Sequence, residues 1–93
     1  MNKEILKQIF LQHNLEEVKF IKKINIGFTN TIYSINDNFI LKICKKISNE
    51  KNFEKEVFFY SFFKDKIIVP KIIVYDKSKK LYNKNFIIYN KIQ

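Results

Sequence analysis

A chain of 93 residues with a formal net charge of +9 and one cysteine is bounded to a single small domain, with no disulfide framework and no cysteine metal cluster. No apolar run approaches the roughly 18 residues that cross a bilayer, and the N-terminus leads into an amphipathic segment rather than a signal core, so a reducing, cytosolic compartment is expected and a membrane is not. All eighteen basic residues are lysine; without the bidentate contacts of arginine a nucleic-acid role is disfavoured, and the same lysine excess is what A/T-rich coding DNA produces.

Residues 3–13 place Ile5, Leu6, Ile9 and Phe10 on one face at helical spacing, and Asn2 stands where a cap belongs. Residues 18–26 alternate as a strand, with Val18, Phe20, Ile24 and Ile26 on one side and Lys22 among them. Gly27 to Asn30 form a turn, and residues 31–36 resume as a strand. Asn36-Asp37-Asn38 has hairpin-turn chemistry, and 39–44 is a strongly apolar strand. After a polar connection, Ser48 or Asn49 caps a helix over about 50–64. Its stripe carries Phe53, Glu56, Val57, Tyr60 and Phe63. Phe58, Phe59 and Phe62 cover its other sides, so its second half should be buried on more than one face. Pro70 introduces a strand at 71–76, Asp76 to Lys80 form a charged turn, and 85–91 is the last strand. The order implies an α+β domain: a five-stranded antiparallel sheet with both helices packed on one side. With 46% hydrophobic and 16% aromatic residues, so short a chain also expects a partner or another lobe.

Three features carry chemistry. In the strand 39–44, Ile40, Lys42 and Cys44 share a face. A lysine there is either a solvated residue of an edge strand or a cation reaching into a cleft, since lysine is rarely buried without a counterion. Glu56 lies on the apolar stripe of its helix, where a carboxylate either reaches water or is paired, because desolvating it alone is costly. Glu54 points elsewhere. Gly27, the only glycine, is either plain turn chemistry or a place where backbone N–H groups close on a phosphate, with Thr29 and Asn30 adding donors. A tight turn, a buried cation and a buried anion in that order suggest a nucleotide-phosphate site.

This arrangement resembles the N-terminal lobe of the protein-kinase-like phosphotransferases, and within them the aminoglycoside phosphotransferase and choline kinase group. The carriers are Ile26-Gly27-Phe28-Thr29-Asn30-Thr31-Ile32-Tyr33, Phe39-Ile40-Leu41-Lys42, Glu56 heading Val57-Phe58-Phe59-Tyr60, Val69-Pro70-Lys71-Ile72, and Phe86-Ile87-Ile88-Tyr89-Asn90-Lys91-Ile92. The resemblance implies that Lys42 binds the α- and β-phosphates of ATP or GTP, and that Glu56 holds Lys42 in place. Gly27, Phe28, Thr29 and Asn30 would cover the phosphates. Ile40 would line the adenine pocket and Tyr89 stand behind it, while the backbone of Asn90 to Ile92 would be the hinge reading the purine edge. One glycine in place of a G-x-G-x-x-G run favours small-molecule over protein acceptors.

Phosphoryl transfer also needs a residue to orient the acceptor hydroxyl and carboxylates to hold Mg2+. The family carries both after the hinge, and no His-x-Asp phrase occurs in these residues; His13, the only histidine, reads as a surface or helix-end residue. The chain therefore reads as one lobe of a longer enzyme, inactive by itself, with a small-molecule acceptor (an aminoglycoside, choline or a similar amino alcohol) served by a second lobe. The antibiotic-resistance and lipid-headgroup readings stay equally open, and an isolated lobe should be unstable or self-associating. A second reading stays open too: a non-enzymatic basic α+β module binding single-stranded nucleic acid or a protein partner through lysines and exposed aromatics.

Overall fold

The computed structural model describes every residue except Phe28, Ile67, Ile92 and Gln93 and, for Ile26, the backbone alone. Helix α1 (Lys3–Gln12) is bounded at both ends by asparagine. The Asn2 Oδ1 accepts the N–H of Ile5 at 2.8 Å, the cap that the sequence implies. At the other end Asn14 takes a left-handed φ of 56°. The Leu15 N–H then donates to the Phe10 carbonyl at 2.8 Å and the Asn14 N–H to the Leu11 carbonyl at 3.1 Å. This double closure ends the helix and leaves His13 at its exposed tip.

Five antiparallel strands follow: β1 (Ile21–Ile26), β2 (Asn30–Ile35), β3 (Phe39–Cys44), β4 (Ile72–Asp76) and β5 (Phe86–Asn90), arranged β1-β2-β3-β5-β4. Helix α2 (Glu50–Phe63) lies between β3 and β4 in sequence, after a 3-10 turn over Ile47–Asn49. The β2–β3 hairpin turns through Asn36 and Asp37, both left-handed at φ 55° and 57°, a conformation that Asn and Asp tolerate best. Strand β3 is central, not an edge, which settles where Lys42 stands.

The first strand departs from expectation. It starts at Ile21 rather than residue 18, and of the described side chains on the expected apolar side Val18 is buried, while Phe20 is 67% and Ile24 52% exposed. Two causes are visible. The Asn36 side chain captures the backbone ahead of the strand, accepting the N–H groups of Lys19 (2.7 Å) and Phe20 (2.9 Å) and donating to the Glu17 carbonyl (2.7 Å). The register then slips between Lys23 and Asn25, which bulges Ile24 outward and breaks the alternation.

The two helices do not share one side of the sheet. Leu6, Ile9 and Phe10 of α1 pack with Ile35, Phe39, Leu41, Ile43, Phe86 and Ile88, the residues of one parity on β2, β3 and β5. Phe53 of α2 packs with Cys44 and Ile87, flanked by Val57, Ile72, Tyr75 and Tyr89, the opposite parity. Since successive side chains of a strand point to opposite faces, α1 and α2 cover opposite faces. The physical reason is that β3 is apolar on both parities and can be covered from both.

Helix α2 carries the expected stripe: Phe53 is buried, and Glu56, Val57, Tyr60 and Phe63 are half-buried. Its second burial face is not found among the described residues. Phe58, Phe59 and Phe62 are 71%, 45% and 53% exposed, with Phe58 stacked on Phe62 at 6.1 Å. Asn49 occupies the N-cap position but makes no capping bond, and Ser48 lies inside the 3-10 turn.

Candidate functional site

The site is built on β3 and α2. Lys42 faces α2 from the central strand, between Ile32 on β2 and Ile87 on β5. Phe53, fully buried one turn before Glu56, seats the helix so that the Glu56 carboxylate meets the Lys42 ammonium. The Nζ lies 2.9 Å from Oε2 and 3.1 Å from Oε1, and the two side chains are only 17% and 19% exposed. The Nζ also stands 5.4 Å from the centre of the Phe53 ring, whose face favours a cation. Lys42 is therefore neither solvated on an edge nor unpaired in the core, and Glu56 does not escape to water. A charge-assisted pair so sheltered is stronger than a surface one. Glu54, by contrast, meets Lys77 at 3.2 Å on the exposed surface.

Two tyrosines close the far side of the carboxylate. Tyr60, one turn beyond Glu56, has its phenol raised above the ordinary value by burial, then by the Glu56 charge and a hydrogen bond to that carboxylate. Tyr89 is pushed up to about 12, chiefly by burial and then by Glu56 and Tyr60. The two rings meet edge to face at 6.3 Å. Both phenols stay neutral at physiological pH. Ile40 stands directly opposite Tyr89 in the β3–β5 register, on the Lys42 face, so an apolar pair borders the cation.

Gly27 serves the turn first. Its N–H donates to the Asn30 carbonyl at 2.8 Å, and a Cβ there would come within 2.9 Å of that oxygen. Its φ is not left-handed, so lack of room rather than backbone freedom selects glycine. Thr29 is exposed, and its carbonyl accepts the Lys45 N–H at 2.8 Å. Asn30 begins β2 opposite Cys44, two residues along the ladder from the Ile32–Lys42 pair. The turn thus sits at the strand end nearest the cation. Phe28 and Ile92, expected at the phosphates and the hinge, lie outside the described residues. Where a hinge is expected, Asn90 ends β5 with its N–H on the Lys71 carbonyl (3.0 Å), and the Lys91 N–H donates to the Asn38 carbonyl (2.9 Å). Those two donors are engaged within the sheet.

Sequence reasoning missed three contributors. Lys45 reads as an ordinary surface lysine, yet its Nζ holds the Gly27 carbonyl at 3.0 Å. Asn49 reads as a cap, yet its Nδ2 donates to Asn30 Oδ1 at 3.1 Å. Ser34, opposite Ile40, is buried, and its hydroxyl has no partner among the described residues. None has a pattern signature; only Asn49, an asparagine just before a helix, carries a signal at all, and it points to a different role. Among the described residues no three His, Cys, Asp or Glu side chains converge as a metal site.

No protein-family model and no curated relative matches the chain. Solved structures do. A streptomycin–ATP complex of the aminoglycoside phosphotransferase APH(2")-IIa superposes with a TM-score of 0.76 at 16% identity, covering 100% of this chain and 29% of that one. A GDP and kanamycin complex of APH(2")-IIia gives 0.77 at 17% identity, covering 99% and 31%. A GDP complex of aminoglycoside 2'-phosphotransferase-IIIa gives 0.76 at 19% identity, covering 100% and 31%. The chain thus has the fold of a kinase-like N-terminal lobe, as its sequence implies, and spans just under a third of the proteins it matches.

Proposed function

We propose that this chain is the nucleotide-binding lobe of an ATP- or GTP-dependent phosphotransferase that acts on a small-molecule hydroxyl. The observation that carries the reading is the Lys42–Glu56 pair, held at 2.9 Å between the central strand and the one helix on that face. In this reading Lys42 binds the α- and β-phosphates. Glu56 fixes the ammonium where it meets them, so that little side-chain freedom is lost on binding. The turn from Gly27 to Asn30 covers the phosphates, while Ile40 and Tyr89 border the purine. The similar solved proteins hold ATP, ADP or GDP, and some hold an aminoglycoside, which supports a nucleotide ligand and an amino-sugar or amino-alcohol acceptor.

Acceptor orientation and Mg2+ binding belong, in this proposal, to a second lobe, and the compartment is the cytosol. Antibiotic inactivation and choline-type headgroup phosphorylation are the two acceptor roles within it. A basic nucleic-acid module would keep its lysines on a solvated sheet face; the sheltered, paired Lys42 speaks for the phosphotransferase reading instead.

Titration calorimetry with MgATP and MgGTP tests it in the full-length protein. Wild type binds one or both. Lys42→Ala weakens binding roughly thirtyfold, the loss of one charge-assisted hydrogen bond of about 2 kcal/mol. Lys79→Ala, at a surface pair with Glu50, changes affinity less than about twofold. Wild type that binds neither nucleotide ends the reading.

A further inference from the structure

The turn that would cover the phosphates is tied down from two directions. From the end of β3, Lys45 makes two bonds to it: its Nζ donates to the Gly27 carbonyl at 3.0 Å and its backbone N–H to the Thr29 carbonyl at 2.8 Å. From the start of α2, the Asn49 Nδ2 donates to Asn30 Oδ1 at 3.1 Å, and Asn49 Oδ1 in turn accepts Asn52 Nδ2 at 2.6 Å. The Asn30–Asn49 bond is partly buried. It fixes the Asn30 amide with its oxygen toward the helix, and so turns its NH2 group away from Asn49. Asn52 lies in the first turn of α2 and Glu56 one turn further on, so the chain Asn30–Asn49–Asn52 joins the turn to the helix that positions Lys42.

We infer that Lys45 and Asn49 are positioning residues that hold the Gly27–Asn30 turn in its phosphate-ready form before any ligand arrives, and that they join this turn to α2 and its Glu56. The inference rests on the nucleotide reading above. A turn of four residues that begins with glycine and carries an exposed Thr29 has many open conformations; each tie removes some of them in the free protein. The ordering is then not charged against the binding step. The two carbonyls are also turned to protein donors, that of Gly27 to the Lys45 ammonium and that of Thr29 to the Lys45 N–H, and so are kept from facing a phosphate oxygen, which would repel them.

The test separates phosphate contacts from the rest of the nucleotide. Lys45→Met keeps the aliphatic stem and removes the donor. Asn49→Leu keeps the approximate size and removes the bond to Asn30, which an aspartate could remake with a turned Asn30 amide. Affinities for MgATP and for adenosine are measured in the wild type, both variants, and Lys45→Arg. Each variant should weaken MgATP about threefold to tenfold, the size of one net hydrogen bond, while adenosine binding changes less than about twofold. Lys45→Arg should restore most of the MgATP affinity. If both variants bind MgATP as wild type does, the inference is overturned while the nucleotide reading stands. Equal losses for MgATP and adenosine would also overturn it, since they report general damage to the lobe. A wild type that binds no nucleotide removes the reading and the inference together.

Discussion

The two faces of the sheet are built from different materials. The α1 face joins Leu6, Ile9 and Phe10 to Ile35, Leu41, Ile43, Phe86 and Ile88, all apolar and closed to water, with Phe10 and Phe39 edge to face at 5.3 Å. The α2 face has a much smaller apolar cluster, Cys44, Phe53 and Ile87, and with it stand an ion pair, the tyrosines Tyr60, Tyr75 and Tyr89, and two buried hydroxyls, of Ser34 and Tyr75, that have no partner among the described residues. Apolar burial is the dominant stabilising term in folding, whereas a part-buried ion pair contributes little net stability. The α1 face therefore holds the lobe together, and the α2 face tolerates costly groups because the other does so. Costly groups gathered on one face mark it as the candidate site.

Substitutions can break this division. The largest effect is expected at Phe10→Ala, which should cost about 3–5 kcal/mol of unfolding free energy, measured by urea denaturation, out of the roughly 5–15 typical of a domain. Any protein that stays folded should bind nucleotide normally. Glu56→Gln should do the reverse: unfolding free energy falls by about 1 kcal/mol, while MgATP affinity drops roughly tenfold because Lys42 is no longer held. A Glu56→Gln protein that loses stability as Phe10→Ala does would erase the distinction.

Smaller changes sharpen it. Gly27→Ala should cost about 1 kcal/mol, as the Cβ and the Asn30 carbonyl cannot both stay at 2.9 Å. Its MgATP affinity should fall with it, read by calorimetry. The Phe58, Phe59 and Phe62 ridge should draw copies of an isolated lobe together. Sedimentation should then show association that the double variant Phe58→Ser, Phe62→Ser abolishes. A last effect is confined to high pH. The Tyr89 phenol is raised from 10.0 to about 12 in the folded protein, so the folded state keeps its proton where the unfolded chain has lost it. Its contribution to stability is complete below pH 10 and disappears as pH climbs through about 12. Tyr89→Phe should flatten that part of the stability–pH curve and leave pH 7 unchanged.

Much of this site was legible in the sequence because its residues violate local patterns. Lys42 interrupts an apolar strand, Glu56 interrupts an apolar helical stripe, and the only glycine marks a turn where a side chain does not fit. Strands β2 to β5 and α2 were equally readable from their residue patterns. What escaped has a physical reason. Phe39, Leu41 and Ile43 alternate with Ile40 and Cys44, so apolar residues point both ways and the pattern cannot say which face takes which helix. The bulge at Ile24 cancels the period it sits in. The ties from Lys45 to Gly27 and from Asn49 to Asn30 join polar residues far apart in sequence, and such bonds leave no periodic trace.

The most direct test of the two-face account is to map where nucleotide touches the protein, by following backbone amide resonances during titration with MgATP. The account predicts shifts at Gly27, Thr29, Lys42, Glu56 and Tyr89, with Leu6, Ile9, Phe10 and Val18 unmoved. Shifts gathered on the α1 face, or none at saturating nucleotide, would contradict it.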